Sequence, residues 1–475
     1  MKKIIILTIS IIFLTSCSED YLNNENKEYI SQEQLNALAN SSPEALLTIN
    51  GAVIDGNTSF LSQFATNGGN IHDDFGQKSI DLGLDLMSND MVQEVFHWFG
   101  RYYRYDGREQ THRITDMIWS FYYKIIRNMN SIIVQIPADV TNNDLRYILG
   151  RAKAMRGFAY FNLIRLYSNN ENGIPLYTEN IQETGRAPTS SVYNVIKEDF
   201  ESAYSYLNGF SRDNKSQINQ DVVAGFLARF YLETGDYTNA ITMANQAKNS
   251  AVLTDVTTGY DEVSDAEIMW GQEINSENTT VFASYFSHIG NLNNGYAGVL
   301  SVYKDFDKRI FDSVSATDSR IAWISGPTFG LPQYVNTKFI DPTAFLGDNL
   351  FMRGAEFHLI YAEAKALDGD DNGAAQALYA LANNRDTAYI LSTNTGASLL
   401  NEIRMQRKLE LWGEGFAFYD MKRWNEPLIR DYIGSNHPSF GRFNFSAGAK
   451  EFIFQIPQDE LDNNDNINIG DQNPL

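Results

Sequence analysis

The sequence predicts a mainly α fold, a helical bundle of tetratricopeptide-like repeats that carries irregular, loop-rich insertions. Three observations predict it: apolar residues at helical spacing over long stretches, a helix–turn–helix plan that occurs twice, and intervening segments rich in Gly, Asn and Asp that show no such period.

The helical elements can be taken in chain order. From Ile114 to Ile136 the apolar positions Ile114, Met117, Ile118, Phe121 and Ile125 recur three and four apart, and from Leu145 to Tyr167 Ala154, Phe158, Phe161 and Leu163 do the same. A helix over Val192 to Leu207 follows Pro188, with Ser190 or Ser191 as its expected N-cap. Asp221 to Thr254 fits one repeat unit: Leu227, Ala228 and Tyr231 on a first helix, Gly235 at the turn, then Tyr237, Ala240 and Ala247. Its small residues let two helices approach and its larger ones fill between them. Ala355 to about Thr387 repeats the plan with Tyr361, Ala362, Ala366, a turn at Gly369, then Ala374, Leu378 and Leu381. Asp368, Asp370, Asn372 and Gly373 there match the first half of a calcium loop, but Tyr379 stands where a bidentate Glu must close the shell. The segment is read as a polar connection whose Asp or Asn caps the next helix.

Two stretches, Gly51 to Gly107 and Ser250 to Asn349, fall outside this plan and read as irregular insertions, with strand-like pieces at Glu267 to Trp270 and Thr280 to Ala283. The expected organisation is one domain over 17–475, with scaffold at about 112–250 and 350–430 and insertions at about 51–110 and 250–349.

The first residues have another character. Lys2 and Lys3 precede an apolar run from Ile4 to Leu14, which is too short for the roughly twenty residues of a membrane-crossing helix and reads as a secretory leader over 1–16. Leu14-Thr15-Ser16-Cys17 resembles the lipobox of bacterial lipoproteins, with Ser16 in place of the usual Gly or Ala. Cys17, the expected lipidation site, is the only cysteine, so no disulfide forms within the chain. Ser18, Glu19 and Asp20 resemble a signal that sends lipoproteins to the cell surface in Bacteroidetes.

The net charge of −22 becomes two units more negative once Lys2 and Lys3 are removed, which argues against nucleic acid as a partner. Aromatic residues make up 13%, with 26 Tyr and 29 Phe, enough to leave rings for a binding surface. The sequence has no Gly-Lys-Ser/Thr phosphate loop, His-Glu-x-x-His zinc helix or Gly-x-Ser-x-Gly elbow. His72, beside Asp73 and Asp74, is the best lone candidate for a metal or a base but reads as a solvated acidic turn. Asp305 and Asp307 form a carboxylate pair of the kind used in glycoside hydrolysis, yet among 59 acidic residues such pairs arise by chance. No catalytic residues, cofactor or metal are therefore expected.

Several segments in order resemble the SusD-like (RagB/SusD) family. They are Trp119 to Asn130, Arg151 to Phe161 with Gly173-Ile174-Pro175-Leu176, Arg353 to Ala364, Glu410-Leu411-Trp412-Gly413-Glu414-Gly415 with Tyr419 to Trp424, and Phe454-Gln455-Ile456-Pro457 with Gln472-Asn473-Pro474. Ala417 departs from a frequent Arg, and Leu475 from the Gly-Tyr that often closes the chain. The resemblance implies a lipid-anchored outer-membrane protein facing the exterior, which captures a glycan or, in some members, a peptide. It further implies delivery of that ligand to a SusC-like TonB-dependent transporter. Glu414, Asp420, Lys422 and Arg423 lie in these motifs and read as a buried or half-buried ion network rather than a catalytic set.

The expected ligand residues rest on location alone: Trp98, Arg101, Tyr102 and Tyr103 in the dense run Phe96 to Tyr105, and Tyr296, near Asn291, Asn293 and Asn294, with Trp323 in the second insertion. Sugars present apolar C–H faces to rings and hydroxyls to planar polar groups. Trp119, Trp270, Trp412 and Trp424 are assigned to the scaffold. Two other classes stay open: a repeat protein that binds only another polypeptide, and a surface hydrolase.

Overall fold

A computed structural model describes residues 42–66, 71–169, 171–183, 185–254, 259–292, 295–324 and 330–475. The leader, Cys17, the signal at Ser18 to Asp20, Asn293 and Asn294 lie outside them. Two compact units emerge, Met1–Ala52 and Val53–Leu475. In the first, the described residues begin the helix Pro43–Phe60. All that follows concerns the second.

Its scaffold is helical, as the periodicity predicts. Arg113–Ile133 packs on Asn143–Tyr167, which packs on Thr189–Tyr206, and that helix on Gln220–Thr234. Tyr237–Asn249 turns back along it and meets Gly354–Leu367, which continues the stack to Asp371–Arg385 and Gly396–Glu410. At the turn of the first repeat Gly235 sits at φ 79, a left-handed conformation that costs glycine nothing. Ala240, Ala244 and Ala247 are fully buried where the helices close on one another. Asp370 caps the last repeat helix by accepting from the Gly373 N–H at 2.8 Å. Thr189–Tyr206 starts directly after Pro188 with no side-chain cap, so neither Ser190 nor Ser191 serves as the expected N-cap. No described helix is long and apolar enough to cross a membrane.

The first loop-rich stretch is more ordered than its composition suggests. Gln77–Leu86 is a helix with every residue buried, including Gln77, Lys78, Asp81 and Asp85. Partners from the far end of the chain make that burial tolerable: Asp85 accepts from the backbone N–H groups of Gly415 and Ala417 at 2.9 and 3.0 Å. In the second stretch Ile268–Gln272 is a strand that pairs antiparallel with Asn349–Arg353. Thr280 to Ala283 is not a strand: Val281 turns at φ 52 and leaves Phe282 half exposed.

A buried ion network joins this second stretch to the repeats. Lys338, Arg320, Arg353 and Arg385 face Asp318, Glu267, Glu410 and Glu414. Glu410, at the end of Gly396–Glu410, is fully buried and accepts from Arg320, Arg353 and Arg385 at 3.0, 2.8 and 2.9 Å. Beside it Arg423 chelates Glu363 at 2.7 and 2.9 Å and holds Asp420, which also pairs with Arg407. Lys422 donates to the Arg165 carbonyl. Glu414, Asp420 and Arg423 therefore form ion pairs as expected of them, whereas Lys422 pairs with a carbonyl instead of a carboxylate.

Burial by itself raises the pKa of Glu414, but Arg353 and Lys338 outweigh it and hold the carboxyl down to about 2. A carboxylate depressed from 4.5 contributes stability that is complete above about pH 4.5 and is lost as pH falls towards 2. Glu414→Gln is accordingly expected to be less stable than the parent at pH 7, with the gap narrowing across that window. Urea melts at pH 7, 4.5 and 3 check it; a gap independent of pH would refute the assignment.

Candidate functional site

The site lies where the two loop-rich stretches meet. Met91–Gln93 and Lys304–Phe306 form a two-stranded antiparallel ladder with Met91 opposite Phe306 and Gln93 opposite Lys304. Beyond Gln93 the chain runs into Val95, Phe96, His97 and Trp98; the segment preceding Lys304 is the short helix Tyr296–Val299. The ladder thus sets Tyr296 against the Trp98 segment.

Rings build one wall. His72 stacks on Trp98 with centroids 5.4 Å apart and planes within 15°, and meets Tyr296 edge-on at 4.4 Å. His97 lies 5.4 Å from Tyr296, and His288 stacks on the inner side of Tyr296 at 5.2 Å. Phe75 and Phe99 back His288 at 6.0 and 5.3 Å. Burial lowers the pKa of His72 and His97, and that of His288 far more, so all three act as neutral rings at pH 7. No cluster of metal-ligating groups is present among the described residues.

The wall borders an open cleft of about 530 Å³, also lined by Asp73, Phe96, Arg101, His112 and Arg113. Arg113 donates to Asp73 at 2.5 Å, and Asp74 organises the turn below by accepting from the Ala65 and Thr66 backbone at 2.7 and 2.9 Å. Phe96 is 41% exposed. A larger groove of about 890 Å³ runs along Arg113–Ile133, but its Trp119 is only 4% exposed and donates to Glu460.

Phe99 and Tyr105 bracket the short helix Gly100–Tyr103, which carries Arg101, at φ 69 and 64. Left-handed bulky residues cost on the order of 1–3 kcal/mol each and persist only where the surroundings over-determine them. Here they do. Phe99 is locked against Phe75 and His288, and Tyr105 against Phe445. Tyr102 fills the space above Gly83, where an added Cβ would lie 2.6 Å from its ring. Gly83→Ala is expected to destabilise the protein by about 1–3 kcal/mol through overpacking and to weaken ligand binding by shifting this helix. Unchanged thermal unfolding would show instead that the ring has room to move.

Of the residues expected to meet a ligand, Trp98, Arg101 and Tyr296 come together at this cleft. Tyr102, Tyr103 and Trp323 do not: each is at most 2% exposed. Tyr103 is 2.5 Å from His437 Nδ1 with Arg430 over its ring, and Trp323 packs beneath Lys338 and Tyr260. These three are packing residues, because a short helix can turn only one side outward and a ring under a buried ammonium belongs to the interior. Asn291 is likewise buried, bonded to the backbone of Lys304 and Asn336. His72 is no solvated turn, since Asp73 and Asp74 are buried and engaged. Sequence reasoning missed His288 and Arg113 as site residues, weighed His72 only as a metal ligand or base, and held His97 only as part of the aromatic run around Trp98.

Two family models match the chain, one described as SusD family over residues 330–475 and one as starch-binding associating with outer membrane over 68–232. Both regions match SusD-type proteins. Solved structures of SusD-like proteins share its fold. A SusD-like carbohydrate binding protein from Bacteroides vulgatus is 24% identical, with a TM-score of 0.78 over 90% of this chain and 98% of its own. A SusD superfamily protein from Bacteroides thetaiotaomicron is 21% identical, TM-score 0.75, over 90% and 100%. Surface glycan-binding protein A from Bacteroides fluxus is 16% identical, TM-score 0.69, over 91% and 99%. No curated protein matches the sequence. The matched region 68–232 covers His72, Trp98 and Arg101 of the cleft, and the matched region 330–475 holds Glu410 and Glu414 of the ion network.

Proposed function

We propose that this protein captures an oligosaccharide at the Trp98 cleft and performs no chemistry on it. One observation carries the reading: Trp98, stacked on His72, and Tyr296, stacked on His288 and edge-on to His72, form a ring platform at an open cleft with Arg101 beside it. Rings held in place by other rings lose little freedom on binding, which suits sugar faces that offer only C–H contacts. The carbohydrate-binding and glycan-binding descriptions of the structural relatives support the same ligand class.

The leader and Cys17, together with a family description that mentions the outer membrane, support a lipid-anchored place on that membrane. There the captured sugar passes to a SusC-like TonB-dependent transporter. Calorimetry of the chain from residue 17 onward, carrying Cys17→Ser, against oligosaccharides and peptides tests the reading. Saturable binding of a sugar recovered intact is expected. Binding of peptides alone would replace the ligand class, and release of shorter sugars would make the protein an enzyme.

A further inference from the structure

The cleft reverses the charge balance of the chain that holds it. Over the whole sequence 59 Asp and Glu outnumber 37 Lys and Arg. The charged groups that line the cleft are two guanidiniums, Arg101 and Arg113, and a single carboxylate, Asp73. Arg113 occupies that carboxylate at 2.5 Å.

The remaining charge centres on Arg101. Its guanidinium is 54% exposed and lies 3.0 Å from Asp106, but Asp106 is shared with Arg104 at 3.3 Å, and Arg104 is 44% exposed. One carboxylate thus serves two guanidiniums, which leaves a positive excess at the rim. Both guanidiniums also lie over the exposed ring of Phe96, at 5.8 and 5.3 Å, so they are oriented along the cleft edge rather than free in solvent. A planar donor fork held in place beside a ring platform is the arrangement that receives a carboxylate or sulfate.

We propose that the captured oligosaccharide is acidic: its anionic group, a uronate carboxylate or a sulfate ester, docks on Arg101 and Arg104 while a neighbouring sugar face stacks on Trp98. The inference rests on the glycan reading above and narrows it. The net charge of −22 repels such a ligand at long range, and the rim attracts it at close quarters, where salt screens least.

The test is calorimetry of the same protein against three sets matched in length: oligogalacturonates, sulfated oligosaccharides and neutral gluco-oligosaccharides, with an acidic peptide alongside. One acidic sugar set is expected to bind at least about tenfold tighter than the neutral set, and Arg101→Gln to cost the acidic set about tenfold more affinity than it costs the neutral one. Which acidic set binds identifies the anion. Arg104→Gln serves as a second variant at an exposed position, with circular dichroism confirming that both fold. Neutral sugars bound as tightly as acidic ones would overturn the inference and leave glycan capture standing. Binding of the peptide alone, or of nothing in the panel, would overturn glycan capture and the inference with it.

Discussion

Glu410→Ala is expected to lower the stability of the protein by at least about 3–5 kcal/mol, the range seen when one partner of a buried ion pair is removed. Arg320, Arg353 and Arg385 all donate to this one fully buried carboxylate, so its loss leaves three guanidiniums short of a partner inside the protein. Neighbouring Glu267 already serves Arg353 and Arg385, and Asp318 already serves Arg320, so neither has capacity in reserve. The damage should spread, because the network links the repeat helices to the Ile268–Gln272 strand and to the segment that holds Lys338. Urea unfolding measures it, with exposed Glu198→Ala as a control expected to stay within about 0.5 kcal/mol. A loss below about 1 kcal/mol in Glu410→Ala would mean that the arginines find water instead.

Trp98→Ala should leave the fold intact and reduce oligosaccharide affinity by about thirtyfold or more, equivalent to about 2 kcal/mol for truncating an aromatic anchor. Trp98 is only half buried and its main ring partner is His72, so removal opens the cleft rather than the core. Trp323→Ala supplies the contrast. That ring is buried beneath Lys338, so its loss should appear in the melting temperature as a large-to-small core defect of about 3–5 kcal/mol. Should Trp98→Ala bind as the parent does, the platform assigned to the cleft is wrong.

The helices were legible because their signal is local: Arg113–Ile133 and Asn143–Tyr167 write their buried faces into three- and four-residue spacing. The motif around Glu410 was legible for another reason, since Trp412, Asp420 and Arg423 sit in a recognisable order. Gln77–Leu86 was hidden because it buries Lys78, Asp81 and Asp85: Lys78 and Asp81 pair with each other, but Asp85 depends on Gly415 and Ala417, more than 300 residues away. The cleft was half legible. The run of aromatics from Phe96 to Tyr105 announces rings but not directions, and the left-handed turn at Phe99 decides that Trp98 stays at the cleft while Tyr102 and Tyr103 turn inward. Nothing in the sequence pairs His72 with His288; the pairing of Met91–Gln93 with Lys304–Phe306 and the packing of Tyr285–Ile289 on Gln77–Leu86 bring them to the same ring cluster.

That pairing also decides when the protein becomes able to bind. The repeats form from neighbours in sequence, and such contacts assemble early and fast. The platform needs Trp98 and Tyr296 side by side, which requires closing a loop of roughly 200 residues, an ordering that chains reach slowly although its entropic cost grows only with the logarithm of length. A growing chain that has not yet reached Tyr296 can already hold helices and a partial core, yet it has only half of its ring wall. Binding competence is therefore acquired only after this long-range closure, later than the local helices.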